Sequence, residues 1–233
     1  MTPRAIAIAT VIVLAVTGLA AGRASGAIDR AGQVADVSAR PGGGFDVRYR
    51  SQGIDGGLVD ERAVVWLPTG ERSGDVVAWG HPTTGLADRC APSREADPDV
   101  PGLAALLAAG HIVVAPDYEG LGAPGDHPYL VGASEGRSVL DAIRAARSLG
   151  HASGRSAVYG WSQGGHAALF AARLAPTYAP DVRLVGAVAI APVTDMASLV
   201  DGRSPFAREP GFVAMVAAGY VATYPELDAS DVV

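Results

Sequence analysis

The residues best suited to chemistry are a serine between two glycines, in the stretch Gly160-Trp161-Ser162-Gln163-Gly164. An apolar run from Ala157 to Tyr159 precedes it, and a helix-forming run follows it as far as Leu174. A serine at a sharp strand-to-helix turn has a strained backbone, so only small residues fit two positions before and two positions after it. Such a turn lifts the hydroxyl above the sheet and aims the backbone N–H of Gln163 at a developing oxyanion. The pattern predicts Ser162 as the nucleophile of an acyl transfer, with Gln163 in the oxyanion hole.

A second oxyanion donor is expected from the loop after an earlier strand. The apolar run Val76 to Trp79 is followed by Gly80-His81-Pro82-Thr83-Thr84-Gly85. Proline has no N–H group, so the donor is Thr83 or Thr84, and a threonine hydroxyl could add a second hydrogen bond. We favour Thr84, against the alternative that this segment is only a turn.

The general base and its acid are not assigned. His166 follows Ser162 by four residues, so it lies one turn along the same helix and points along the helix face. His81 stands before the serine, which is the wrong chain order for a base in a fold of this kind, and we expect it to brace its own loop. Asp117, Tyr118 and Glu119 are likewise expected to fix loop geometry rather than to react.

The elements that must position this site follow from the apolar pattern. Beyond about residue 60, short β-branched runs alternate with Ala- and Leu-rich stretches, which predicts an α/β fold with a mostly parallel sheet flanked by helices. Upstream, Phe45 to Arg50 is expected to pair antiparallel with Ala63 to Leu67. The buried strands are predicted at Val76–Trp79, His111–Ala115, Ala157–Tyr159 and Leu184–Ile190. Helices are predicted at Leu103–Ala109 and at Glu135–Leu149, the second of these as a crossover helix and nothing more.

Two further segments flank this predicted core, which spans residues 27–193. Residues 1–26 combine a basic start, an apolar run and small residues, which predicts a secretory signal peptide cleaved after Gly26. Cleavage near Leu19 to Ala21 and an uncleaved membrane anchor are the alternatives. After Pro192 the strand–helix rhythm stops, and the apolar run Phe212 to Val221 predicts that residues 194–233 begin a helical cap.

Composition removes several classes of function. The chain has 233 residues, a formal net charge of −6 and 18 basic residues, all of them arginine. Without lysine, a Walker A phosphate loop and a Schiff-base nucleophile are excluded, and scattered arginines on an acidic chain argue against nucleic-acid binding. One cysteine and five dispersed histidines argue against structural zinc, and no cofactor is expected. Cys90, left without a second cysteine in a secreted chain, suggests that its partner is missing.

Five segments together resemble the secretory lipase family of α/β-hydrolases. They are Gly80–Gly85, Cys90-Ala91-Pro92-Ser93, Pro116-Asp117-Tyr118-Glu119-Gly120-Leu121-Gly122, Gly160–Gly165 and Tyr224-Pro225-Glu226-Leu227. The resemblance implies a secreted serine esterase that acts on acylglycerols and related esters, with a cap after the sixth strand and a lipid–water interface as a partner. It also implies Ser162 as nucleophile and Thr84 and Gln163 as the oxyanion hole.

The same resemblance sets the alternatives. The family continues beyond a Tyr-Pro-Glu-Leu-Asp segment through the rest of the cap, the last strands, the triad acid and the His, so we expect this chain to be a fragment that lacks them. One alternative is a non-catalytic hydrolase-fold protein that binds an apolar ligand in the cap cleft. Another is that the sheet without its last strands is not a stable unit. A peptidase or a polyester-degrading esterase would share the same elbow.

Overall fold

The structure, a computed structural model, describes residues 30–200, 202–204 and 208–228. The predicted signal peptide lies outside these residues. The strands are β1 (Val34–Ala39), β2 (Phe45–Gln52), β3 (Leu58–Trp66), β4 (Val76–Gly80), β5 (Ile112–Pro116), β6 (Ser156–Trp161) and β7 (Leu184–Ile190). The helices are α1 (Leu103–Ala108), α2 (Gly132–Gly150), α3 (Gln163–Tyr178), α4 (Met196–Val200) and α5 (Pro210–Thr223).

The seven strands form one sheet in the order β1-β2-β3-β5-β4-β6-β7. β1 and β3 run opposite to the other five strands, since the pairs β1/β2, β2/β3 and β3/β5 are antiparallel and the rest are parallel. The predicted α/β class with a mostly parallel sheet is therefore confirmed. Because β4 lies between β5 and β6, Gly80 at the end of β4 pairs with Gly160 at the end of β6. The loops that follow these two strands consequently leave the same edge of the sheet.

The predicted hairpin is also confirmed, and it is longer than expected. β2 and β3 pair from Phe45 opposite Val65 to Gln52 opposite Leu58. β3 therefore begins at Leu58, before the run of apolar residues that signalled it. β1 was not predicted, because it is an edge strand with the sequence VADVSA and no buried side chain.

Helices cover both faces of the central strands of the sheet, as their apolar sequences require. On one face, α2 and α3 pack over a cluster that includes Val65, Val114 and Val158. On the other face, α1 packs over Val113 and Trp79. Burying one such side chain completely contributes about 1.5–3 kcal/mol, so the strands that carry the site are held from both sides.

The segment predicted to begin a cap contains α4, which was not predicted, and α5, which was. Val216 of α5 packs with Tyr129 and Leu130, which lie in the loop before α2. Gly219 permits this contact, because a Cβ at that position would stand 2.6 Å from the Tyr129 nitrogen. Among the described residues, no helix is both long enough and apolar enough to span a membrane.

Candidate active site

Ser162 occupies the strained turn that its neighbours predict. β6 ends at Trp161 and α3 begins at Gln163, so a single residue makes the turn between them. Ser162 has φ 55° and ψ −115°, a conformation that costs a residue with a side chain on the order of 1–3 kcal/mol. The turn is held by its own backbone, since the Ser162 N–H donates to Ile190 O (2.9 Å) and the Ser162 carbonyl accepts from the His166 N–H (3.0 Å).

The two flanking glycines are required for close backbone contacts. A Cβ on Gly160 would lie 2.2 Å from the carbonyl oxygen of Gly164. A Cβ on Gly164 would lie 1.9 Å from the carbonyl oxygen of Gly80, the last residue of β4. The requirement for small residues on both sides of Ser162 is thus confirmed. The second contact also brings the loop after β4 against the first turn of α3.

The two residues predicted for the oxyanion hole lie on these two segments. Gln163 is the first residue of α3, so its N–H has no carbonyl four residues earlier within the helix to which it could donate. Thr84 is exposed on the loop after β4. Thr83 is half-buried, and its hydroxyl lies 2.5 Å from the Tyr129 hydroxyl. Thr83 is thus engaged in the loop, while the role of Thr84 stays a prediction.

His81 and Asp117 brace the loops beside the elbow. His81 Nδ1 lies 2.7 Å from the carbonyl oxygen of Pro82, and Nε2 lies 3.3 Å from that of Asp117. Burial lowers the pKa of His81 to about 4, so the ring is neutral near pH 7. Asp117 accepts the backbone N–H of Ser93 (2.8 Å), and burial raises the pKa of its carboxyl to about 7. These contacts agree with the loop-bracing roles expected for both residues.

Helix α2, which was predicted as a crossover helix and nothing more, also contacts the first turn of α3. Its first turn carries Glu135, which is fully buried and lies at hydrogen-bond distance from Gln163 and His166 of α3. The sequence held a signal for the burial of Glu135, because Glu135 precedes Val139 by four residues and Ala142 by seven. That spacing puts the carboxylate on the buried apolar stripe of the helix.

An apolar cleft of about 390 Å³ adjoins His166. It is lined by Leu130, Val131, Gly132, Ala133, Leu169, Phe170, Val193, Thr194, Met196, Tyr220 and Tyr224. In the part of the chain that the structure describes, no group of three or more His, Cys, Asp or Glu side chains is placed to hold a metal ion.

A strained serine between a parallel strand and a helix, fixed by paired glycines at the carboxyl edge of the sheet, defines the nucleophile elbow of the α/β-hydrolase fold. The sequence profile of the secretory lipase family matches residues 95–230. The chain belongs to the secretory lipase family.

Individual relatives agree with this assignment. The chain is 36% identical over 180 residues to a secreted triacylglycerol lipase of Malassezia globosa, covering 70% of this chain and 38% of that protein. It is 29% identical over 203 residues to lipase A of Moesziomyces aphidis, covering 79% of this chain and 42% of the relative. The chain thus spans less than half the length of these two relatives.

Solved structures show the same fold. The closed state of Candida antarctica lipase A superposes with a TM-score of 0.72 at 26% identity, covering 87% of this chain and 51% of that chain. A rice cell wall degrading esterase, LipA from Xanthomonas oryzae, superposes with a TM-score of 0.68 at 25% identity, covering 85% of this chain and 62% of that chain.

Proposed function

We propose that this chain carries the nucleophile and the oxyanion hole of a secreted serine ester hydrolase that acts on lipid esters through an acyl-Ser162 intermediate. The observation that carries the proposal is the conformation of Ser162. Its strained φ of 55° presents the hydroxyl directly before the N-terminus of α3, where unpaired N–H groups and the helix dipole favour negative charge.

In the proposed reaction, Ser162 Oγ attacks the ester carbonyl carbon and the π electron pair moves onto the carbonyl oxygen. The N–H groups of Gln163 and Thr84 hold that oxyanion. When the tetrahedral intermediate collapses, the bond to the alcohol oxygen breaks and the alcohol leaves with the proton taken from Ser162. Water later adds to the acyl-serine, which releases the acid and restores the Ser162 hydroxyl. The base that takes the Ser162 proton is not assigned to His81, because both of its ring nitrogens contact backbone carbonyls. It is not assigned to His166 either, because that residue lies one turn along the same helix with Nδ1 on Glu135.

The substrate class and the location rest on the relatives and on the apolar surroundings of the site. One relative is a secreted triacylglycerol lipase, and we extend both its substrate and its secretion to this chain, with residues 1–26 as the signal peptide. Trp161, directly before the nucleophile, is 51% exposed, which suits a site that meets acyl chains at a lipid–water interface.

The test of the nucleophile is the hydrolysis of a short-chain nitrophenyl ester by the full-length protein, called the wild type in every assay below, and by its Ser162→Ala variant. We expect the substitution to lower kcat by at least about 10³-fold, because no other group replaces the nucleophile. Ser148→Ala, at an exposed position of α2, is the matched control and should leave kcat unchanged. Turnover that survives in Ser162→Ala contradicts the assignment. A wild type that binds the ester without hydrolysing it favours the non-catalytic binding protein instead.

The two threonines of the loop after β4 separate the oxyanion role from a structural one. Thr84→Val removes a hydroxyl that we place beside the developing charge, and it should lower kcat by about 3- to 10-fold, less than the loss of a backbone donor. Thr83→Val removes only the contact with the Tyr129 hydroxyl and should leave kcat within about 2-fold. The reverse order of effects would move the oxyanion role to Thr83.

A further inference from the structure

Glu135 accepts hydrogen bonds from three N–H groups, two on the first turn of α3 and one in the loop before α2. Its Oε1 accepts from the backbone N–H of Leu130 (3.1 Å) and from the side-chain amide of Gln163 (2.9 Å). Its Oε2 lies 2.6 Å from His166 Nδ1. A carboxylate only accepts hydrogen bonds, so His166 donates from Nδ1 to Glu135.

The amide of Gln163 is fixed from a second side. Its Nε2 also lies 2.9 Å from Nε2 of His127. His127 donates from Nδ1 to the carbonyl oxygen of Glu119 (2.7 Å), so its Nε2 is the acceptor and the Gln163 amide donates to it. Two acceptors on separate elements therefore hold the side chain of the residue that follows the nucleophile.

These contacts end on the first turn of α3. Gln163 is the first residue of that helix, and His166 is the residue whose N–H closes the turn onto the Ser162 carbonyl. Because the Glu135 carboxylate holds the side chains of both residues, it fixes how this turn is rotated about the axis of α3. The direction of the Gln163 backbone N–H depends on that rotation.

We propose that Glu135 is a positioning residue for the reaction at Ser162, acting through Gln163 and His166 to aim the Gln163 N–H at the oxyanion. The proposal rests on the function proposed above and adds to it a residue on the crossover helix. Glu135 itself stands behind α3 and touches no reacting atom.

The chain provides a matched control in Glu61 of β3. Glu61 is 1% exposed, and its carboxyl contacts the Tyr49 hydroxyl (2.7 Å) and the Ser138 hydroxyl (2.8 Å). Ser138 lies on α2, so this carboxyl packs against the same helix as Glu135, with partners on α2 and β2 instead of α3. Truncating Glu61 disturbs a buried carboxyl of equal size without touching the elbow.

The experiment compares Glu135→Ala and Glu135→Gln with Glu61→Ala and Glu61→Gln, by the urea midpoint of unfolding and by kcat and KM for a nitrophenyl ester. We expect Glu135→Ala to lower kcat at least about 10-fold with KM changed less than about 2-fold. Glu61→Ala should lower the urea midpoint comparably and keep kcat within about 2-fold. Glu135→Gln should fall between wild type and Glu135→Ala, because its amide oxygen still accepts from Leu130 and Gln163. Equal losses of kcat at the two sites, or none at either, would overturn the proposal.

A second readout needs no turnover and no stable alanine variant. In ¹⁵N–¹H spectra, Glu135→Gln should shift the backbone amide resonance of Gln163 and remove the Nδ1–H signal of His166, while Glu61→Gln should leave both in place. If the wild type hydrolyses no ester but these shifts occur, the proposed function fails and the positioning contact stands. An unchanged Gln163 amide in Glu135→Gln overturns the positioning role whatever the activity.

Discussion

Helix α2 carries one buried carboxyl group, Glu135, and contacts another, Glu61 of β3, and the two have similar burial and different partners. Towards the strands, Glu61 meets two hydroxyl groups, and burial raises its pKa to about 8. Towards α3, Glu135 meets three N–H groups, two of them on residues of the nucleophile turn. Burial alone therefore does not mark a carboxylate as functional, because what distinguishes Glu135 is the element on which its partners lie.

The buried polar groups on the side of α2 that faces the strands continue along the helix. We call them the strand-side cluster, and they are Tyr49, Ser51, Glu61, Ser138 and Asp141. Asp141 accepts from the Ser51 hydroxyl (2.9 Å) and the Tyr178 hydroxyl (2.6 Å), and it pairs with Arg144. Burial raises the pKa of this carboxyl, and the hydrogen bonds from Tyr178, Arg144 and Ser51 lower it in part. The cluster joins β2 to α2 and to the end of α3, which is a structural task. A second network, which we call the elbow network, lies at the opposite end of α3, beside Ser162. Its members are Glu119, His127, Ser134, Glu135, Gln163 and His166.

The largest effect on stability is expected at the close contact between Gly164 of α3 and the end of β4. Gly164→Ala sets a Cβ 1.9 Å from the Gly80 carbonyl oxygen, which is backbone and cannot rotate away. We expect the free energy of unfolding to fall by about 3 kcal/mol or more, measured by urea denaturation. Gly211→Ala in α5 is the control, since its Cβ meets nothing within 4 Å and should be neutral or stabilising by up to about 1 kcal/mol. Similar stabilities for the two variants would mean that the β4 loop and α3 are not in contact.

The next effect is a dependence of the folding stability on pH, and it arises from Glu61 of the strand-side cluster. Glu61 is protonated in the folded state up to about pH 8 but ionises near pH 4.5 when unfolded. The unfolded state then binds fewer protons across this window, so stability is fully present below about pH 4.5 and is lost as the pH rises towards 8. The stability of the wild type relative to Glu61→Gln should fall by a few kcal/mol across it. The comparison of the two proteins cancels their shared titrations, including those of Asp117 and His81. A difference that does not change with pH would place Glu61 in water rather than in the core.

A smaller loss of stability is expected when Glu61 stays buried but loses one of its hydrogen-bond donors. Tyr49→Phe removes a hydroxyl that lies 2.7 Å from Glu61 Oε2 and 3.1 Å from the Ser138 carbonyl. The remaining buried oxygen atoms lose a partner, so the free energy of unfolding should fall by about 1–3 kcal/mol in a urea titration. The kcat for a nitrophenyl ester should stay within about 2-fold. A loss of kcat without a loss of stability would show that the strand-side cluster also serves the elbow.

The two sides of α2 differ in how far the sequence could predict them. The elbow was predicted because all its demands are local: Gly160, Ser162 and Gly164 lie within five residues of each other, between an apolar strand and a helix. The Glu135 network was not predicted, because the partners of Glu135 on α3 lie 28 and 31 residues further along the chain. Only the helical spacing indicated that Glu135 is buried, and burial does not say which element lies opposite. β1 was not predicted because its sequence lacks the alternation of apolar and polar residues that marks a half-buried strand.

The smallest effect tests the outer end of the elbow network. The Ser134 hydroxyl lies 2.5 Å from Glu119 Oε2, and the Glu119 carbonyl oxygen is the acceptor that orients His127. Ser134→Ala should lower the free energy of unfolding by about 1 kcal/mol, which is the usual net contribution of one hydrogen bond. It should lower kcat by less than 3-fold, because His127 still faces the Glu119 backbone.

Ser148→Ala, at an exposed position of the same helix, should be neutral in both assays, since alanine is the better helix former. A loss of kcat in Ser134→Ala as large as in Glu135→Ala would extend the positioning role from Glu135 outwards to Glu119. An effect on stability alone would confine that role to the carboxylate that touches α3. The comparison between the two sides of α2 would then come down to one residue, Glu135, because its carboxylate joins the buried face of the helix to the turn that carries Ser162.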